Sequence, residues 1–312
     1  MTVTTQHEQP VFFDAAGEDL FGIFTRPDGD ANGMAILALF GAGPFPTLGK
    51  NQVRIRLARQ LAELGFHVLR LDYRGIGESG GEPREATLTD LWVDDALGAI
   101  RWLQANGFHR IVIVGVCFGA RTALVVLDDI PGLEGMVLIA PPVGEANHRE
   151  TILAHPWSWY LRRAMSPSSI RLMVGSHPTA RRRRGTLIAK VRTSTARAQP
   201  ADGQAKQAHA SPQFLDPMAA LLDRGVPVLV LYGRGDDFYL NFEASLDGRL
   251  GRMIADAGDA VTVHIVDESI AGLASVATQD LLLHEVTSWA GRLATERGTI
   301  DIGEGNDGLR LD

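Results

Sequence analysis

Apolar runs alternate with amphipathic stretches along most of the chain, and their periods identify the elements. Residues 11–14 and 20–26 read as two short strands around a turn at Ala15-Ala16-Gly17-Glu18, a hairpin at one sheet edge. Residues 33–40 are continuously apolar, the pattern of a strand covered on both faces. Val53, Leu57, Leu61 and Leu64 recur at helical spacing over 53–64. A strand at 67–73, a helix at about 89–105, a strand at 110–116, a helix at 120–127 and a strand at 134–140 follow. From about 143 to 213 the alternation stops. It resumes with a helix at 217–224, a strand at 226–232, a helix at about 241–257, a strand at 261–267 and a helix at about 277–293.

This order predicts an α/β fold: a mostly parallel eight-stranded sheet with helices on both faces. The core takes in residues 1–142 and 214–297. Residues 143–213 are too long for an ordinary loop and read as a cap inserted over one edge of the sheet. The tip of that cap, about 178–211, offers few apolar residues to bury and is expected to be partly disordered. Residues 298–312 form a polar, glycine-bearing tail.

Composition narrows the class. Of 312 residues, 45% are hydrophobic and 21% charged, as in an ordinary globular enzyme. No apolar run approaches the roughly 18–20 residues of a membrane span, and the first ten residues lack the basic and apolar regions of a secretory signal. The expectation is a cytoplasmic protein. A single cysteine excludes an internal disulfide and a cysteine-based metal site, and no cofactor or metal is expected. The net charge of −7 is unevenly spread. Residues 151–201 contain no acid and ten Lys or Arg, which leaves −17 on the rest of the chain. The basic segment suits an anionic partner, such as the phosphates of coenzyme A or an acyl carrier protein. Its four arginines at 181–184 have neither the aromatic interleaving nor the fold of a nucleic-acid site.

Two glycine motifs bear on chemistry. Gly75-Ile76-Gly77-Glu78-Ser79-Gly80 matches the dinucleotide fingerprint, but Gly81-Glu82-Pro83 intervenes before any helix, so no helix N-terminus faces a pyrophosphate. Gly115-Val116-Cys117-Phe118-Gly119 is different: a β-branched run ends there and a helix begins at once. Small residues two before and two after one polar side chain are what a sharp strand-to-helix turn requires, a nucleophile elbow with Cys117 at its tip. Downstream, Asp236 follows the strand at 226–232 as the candidate acid, with Asp237 as the alternative.

Four segments together resemble the α/β-hydrolase superfamily, in its serine-aminopeptidase-like and dienelactone-hydrolase-like branch. They are Ala42-Gly43-Pro44-Phe45 with Gly49; Leu71-Asp72-Tyr73-Arg74-Gly75-Ile76-Gly77-Glu78-Ser79; Gly115 to Arg121; and Tyr232-Gly233-Arg234-Gly235-Asp236. The chain is similar in particular to bacterial exosortase-associated hydrolases, some of which place cysteine at the elbow. The resemblance implies a nucleophile at Cys117 and an acid at Asp236. It also implies an oxyanion hole from the Phe118 amide and one in the 42–45 loop, where Pro44 has no N–H and Gly43 or Phe45 must donate. Such enzymes carry a histidine in the loop after the last strand. Here Ala271 stands in its place, within Ser269-Ile270-Ala271-Gly272-Leu273.

Other histidines are placed poorly for the role. His264 falls within a strand and should pack against a helix; His284 lies two to three turns along the closing helix. His148, His155, His177 and His209 belong to the cap, and His155, beside Pro156 and Trp157, is the best placed of them. A thiol needs a base less than a hydroxyl does, and the helix following Cys117 is expected to lower its pKa. These features imply a cysteine-dependent acyl hydrolase or acyltransferase acting on an ester, lactone or thioester. The alternative is a degenerate hydrolase fold that binds or shapes a ligand without an acyl-enzyme.

Overall fold

The computed structural model describes residues 7–41, 49–83, 87–145, 210–273 and 275–298. Strands β1 (His7–Ala15) and β2 (Glu18–Arg26) form the expected hairpin. Ala16 and Gly17 both take positive φ, 55° and 87°, which a two-residue turn between right-twisted strands requires. Six further strands follow: β3 (Ala35–Leu39), β4 (His67–Leu71), β5 (Ile111–Val116), β6 (Leu133–Ile139), β7 (Val228–Gly233) and β8 (Val261–Val266). They complete an eight-stranded sheet in the order β1-β2-β4-β3-β5-β6-β7-β8. β2 runs antiparallel to both β1 and β4, and every other pair is parallel. The predicted α/β architecture is present.

The described helices are α1 (Val53–Glu63), α2 (Val93–Ala105), α3 (Phe118–Val125), α4 (Pro212–Asp223), α5 (Tyr239–Ser245), α6 (Arg249–Ala257) and α7 (Val276–Arg297). The two-residue period of the strands divides the interior into two cores. Leu37, Ile113, Leu138 and Val230 face one core with residues of α2 to α6. Ile36, Val114, Val137 and Leu229 face the other with residues of α1 and α7. Continuous apolar strands are thus explained by burial on both sides.

Three helices depart from their sequence pattern. α2 starts at Val93, not near 89, because Leu91 and Trp92 are buried and Trp92 stacks on Tyr73 with ring centroids 4.2 Å apart. The helix placed at 217–224 begins at Pro212, with Ser211 at its N-cap, so regular structure resumes before the expected boundary at 214. The helix at about 241–257 is two, α5 and α6, because the chain turns back at Leu246-Asp247-Gly248. There Gly251 lies so close that a β-carbon would be 1.8 Å from the Leu246 carbonyl oxygen. Residues 146–209, most of the expected cap, lie outside the described residues. The two ends of that insertion meet side by side, where the Ser211 amide donates to the Val143 carbonyl at 2.8 Å.

Candidate active site

β5 ends at Val116 and α3 starts at Phe118, so the whole reversal happens at Cys117, which sits at φ 54°, ψ −119°. A side chain with a β-carbon pays about 1–3 kcal/mol for that region of backbone space. The turn closes through Cys117 N–H to the Ile139 carbonyl at 2.8 Å and Ala120 N–H to the Cys117 carbonyl at 3.1 Å. The flanking glycines are steric necessities. A β-carbon on Gly115 would be 2.5 Å from Ala120 Cα, and one on Gly119 would be 2.1 Å from the Leu39 carbonyl oxygen. Gly41, at the exit of β3, lies as close: its β-carbon would be 2.1 Å from the Val116 carbonyl oxygen and 2.8 Å from both Cys117 Cβ and Phe118 N. The loop after β3 therefore starts against the elbow. Gly43, within it, lies outside the described residues.

β7 delivers the candidate acid. Asp236 is 1% exposed and closes a turn with Gly233: its amide donates to the Gly233 carbonyl at 2.8 Å, and its Oδ2 accepts from Gly233 N–H at 2.7 Å. Oδ1 accepts from Ser269 Oγ at 2.8 Å and from the Ala271 amide at 3.0 Å. Asp236 is thus joined to the loop after β8, at the residue standing where the histidine is expected. Neither aspartate caps α5, whose N-cap is Phe238 and has no side-chain cap.

The model of the family described as serine aminopeptidase, S33, matches residues 52–265, well over half of the chain. The chain belongs to this family of α/β-hydrolases. A lysophosphatidylserine lipase, ABHD12, from Danio rerio is 31% identical over 133 residues, 38% of this chain and 33% of that protein. The Macaca fascicularis counterpart is 30% identical over 165 residues, 51% of this chain and 38% of that one. The matched region therefore spans little more than a third of these lipases. Among solved structures, an esterase from Pyrococcus furiosus superposes with a TM-score of 0.56 at 15% identity, covering 94% of both chains. A proline iminopeptidase from Mycobacterium smegmatis gives 0.54 at 15%, covering 93% of this chain and 99% of the other. These two share the fold.

In this α/β-hydrolase the elbow thiol is electrostatically unfavoured as a thiolate, contrary to the expectation from its helix N-terminus. Burial dominates and pushes the Cys117 pKa up to about 12; the Phe118 amide pulls the other way, and Asp237 and Asp236 add to the rise. Cys117 is partly exposed but packs against both hydrophobic cores, and the single amide and the short α3 dipole do not replace the water that this packing removes. Burial likewise lifts Asp236 to about 6, against the hydrogen bonds from Gly233, Ser269 and Ala271.

No described histidine reaches the hydrolase elbow. His264 Nδ1 is 2.6 Å from Glu285 Oε2 of α7, packed against a helix as the sequence suggested, and His284 is exposed on α7. His148, His155, His177 and His209 lie outside the described residues. The Gly75–Gly80 loop binds itself: a β-carbon on Gly77 would be 2.0 Å from Asp72 Oδ2, and Ser79 Oγ donates to the Asp72 carbonyl at 2.7 Å. Among the described residues no cluster suited to a metal ion occurs, and no helix is long and apolar enough to cross a membrane. Sequence reasoning missed Ser269, whose contact with Asp236 spans 33 residues and follows no local pattern. It also read Gly41 only as the start of a Gly/Pro-rich loop, although a glycine directly after a buried apolar strand is a signal of close backbone approach.

Proposed function

We propose that this hydrolase acts through Cys117 as an acyl-accepting nucleophile on esters and thioesters, within a cysteine-elbow subgroup similar to the exosortase-associated hydrolases. The observation that carries the reading is the strained backbone of Cys117, φ 54° and ψ −119°, which holds a reactive side chain at the helix start at a cost that a purely structural cysteine has no reason to bear. In the step, Sγ bonds to the acyl carbon, the bond to the donor thiol or alcohol breaks, and the Cys117 proton leaves with that group. The oxyanion forms against the Phe118 amide, with Gly43 of the β3 loop as second donor. Asp236 keeps the place of the family's acid, but Ala271 provides no imidazole to activate water, so the acyl-cysteine persists or passes to another acceptor. The ten cations between residues 151 and 201 suit a donor carried on coenzyme A or an acyl carrier protein.

Intact mass after incubation with 4-nitrophenyl butyrate and butyryl-coenzyme A tests this. A 1:1 butyryl adduct is expected, absent in Cys117→Ala and outlasting free donor. No adduct from any activated donor would discard the reading. In Ala271→His, whose side chain would start beside Asp236 Oδ1, the adduct should give way to repeated turnover. A second reading, a ligand-binding fold without an acyl-enzyme, is favoured by one observation: burial holds the Cys117 thiol protonated, at about 12. Saturable ligand binding that is unchanged in Cys117→Ala would select it.

A further inference from the structure

Two arginines among the described residues are matched by acids. Arg70, 2% exposed, pairs with Glu8 at 3.3 Å, and Arg74 pairs with the buried Asp95 at 2.6 Å. Arg121 is 2% exposed as well, yet among the described residues no carboxylate pairs with it. A guanidinium is always charged and offers five N–H donors. Among the described residues the Arg121 side chain makes one hydrogen bond, Nη1 to the Pro142 carbonyl at 3.3 Å, and its Cζ stands 5.5 Å from the ring centroid of Phe214. One carbonyl and one ring need a single donor on an apolar stem. The positive charge is surplus to that structural role, and burying it unpaired is costly.

Its position gives the charge a use. The Arg121 amide donates to the Cys117 carbonyl at 3.3 Å, so the two residues are one helical turn apart. The Tyr232 phenol, whose oxygen donates to the Pro141 carbonyl, lies within electrostatic reach of Arg121, Cys117 and Asp236 alike. Cys117 thus has the negative charge of Asp237 and Asp236 acting on it, and the positive charge of Arg121 belongs to a residue one helical turn along α3. An acyl donor with an anionic group is oriented one way only by such charges.

We propose that Arg121 is the anchor of an anion subsite beside Cys117, and that the preferred acyl donor carries a carboxylate or phosphate close to its reacting carbonyl. This rests on the acyl-transfer reading above. A bidentate carboxylate or phosphate would use the N–H donors left over and neutralise the buried charge.

The test compares acylation of Cys117 by matched donors in two arms. One arm sets 4-nitrophenyl hydrogen glutarate against 4-nitrophenyl butyrate, with the anion on the acyl chain; the other sets the butyryl thioester of 2-mercaptoethyl phosphate against that of 2-mercaptoethanol, with the anion on the leaving group. In at least one arm the anionic donor should react tenfold or more faster, and in Arg121→Met that ratio, whatever the absolute rates, should fall to within twofold of one. Equal rates in both arms of the native protein, or a ratio that survives Arg121→Met, overturn the proposal. The native chain supplies a measurement free of any folding defect: glutarate or inorganic phosphate should protect Cys117 saturably from iodoacetamide, and protection by neither overturns it. Acylation by neutral donors with no anion preference removes the subsite and leaves acyl transfer standing. Protection by glutarate with no acylation from any donor does the reverse.

Discussion

At Cys117 two effects of known sign compete, and their sizes decide the chemistry. A helix N-terminus favours a thiolate, but only through the Phe118 amide here, whereas burial and the two aspartates oppose it and win. With its pKa pushed up to about 12, the thiol stays almost wholly protonated at pH 8. Alkylation by iodoacetamide should therefore rise about tenfold per pH unit from pH 7 to 10 without levelling off. A plateau near pH 8 would show that a base unseen among the described residues has taken the proton. Asp237 contributes to the raised value through its charge, so Asp237→Asn should speed alkylation severalfold at pH 8, measured by mass against time. In a complete triad, loss of an acid slows the nucleophile; here the sign is reversed because no histidine among the described residues stands between.

At the scale of elements, β3, β5 and α3 meet through backbone contacts that leave no room for a methyl group. Gly119→Ala would put its β-carbon 2.1 Å from the Leu39 carbonyl and should lower stability by about 1–3 kcal/mol in urea denaturation. Gly29→Ala meets nothing within 4 Å and serves as the neutral comparison. These contacts explain what the sequence made legible. Buried strands read as apolar runs because both faces are covered, and the elbow read as G-x-C-x-G because only glycine fits at 115 and 119. Less legible were boundaries decided by distant partners: Trp92 stacked on Tyr73 delays α2, and Gly251 against Leu246 splits the helix expected over 241–257. The raised thiol pKa was illegible for the same reason, since it comes from two cores that converge on Cys117 from opposite faces of the sheet. The empty histidine position was plain, yet the way Ser269 and the Ala271 amide occupy Asp236 was not, because it joins two loops at the ends of different strands.

Across the whole molecule, two buried groups at opposite ends of the sheet make opposing contributions to stability in acid. At the start of β4, His67 lies 5.6 Å from Phe24 and 4.6 Å from Phe108, with its Nδ1 buried and without a hydrogen-bond partner among the described residues. Burial, with Arg26 adding, lowers its pKa to about 4. Between about 4 and the ordinary 6.5 the unfolded chain binds a proton at His67 that the folded chain refuses, so this group's contribution falls as pH falls through that window. Asp236, at the other end of the strands, is raised to about 6 from 3.8, so between those values the folded chain holds the extra proton and its contribution grows as pH falls. Each shift is worth about 3 kcal/mol at most, and the two nearly offset over the shared range. Replacing one should expose the other. His67→Phe keeps the aromatic packing and removes the proton site, so its urea midpoint should rise between pH 7 and pH 4.5, while Asp236→Asn should lose stability over the same range and the native chain should change least. A native profile that falls steeply, with His67→Phe parallel to it, would mean that groups other than these two govern the acid response.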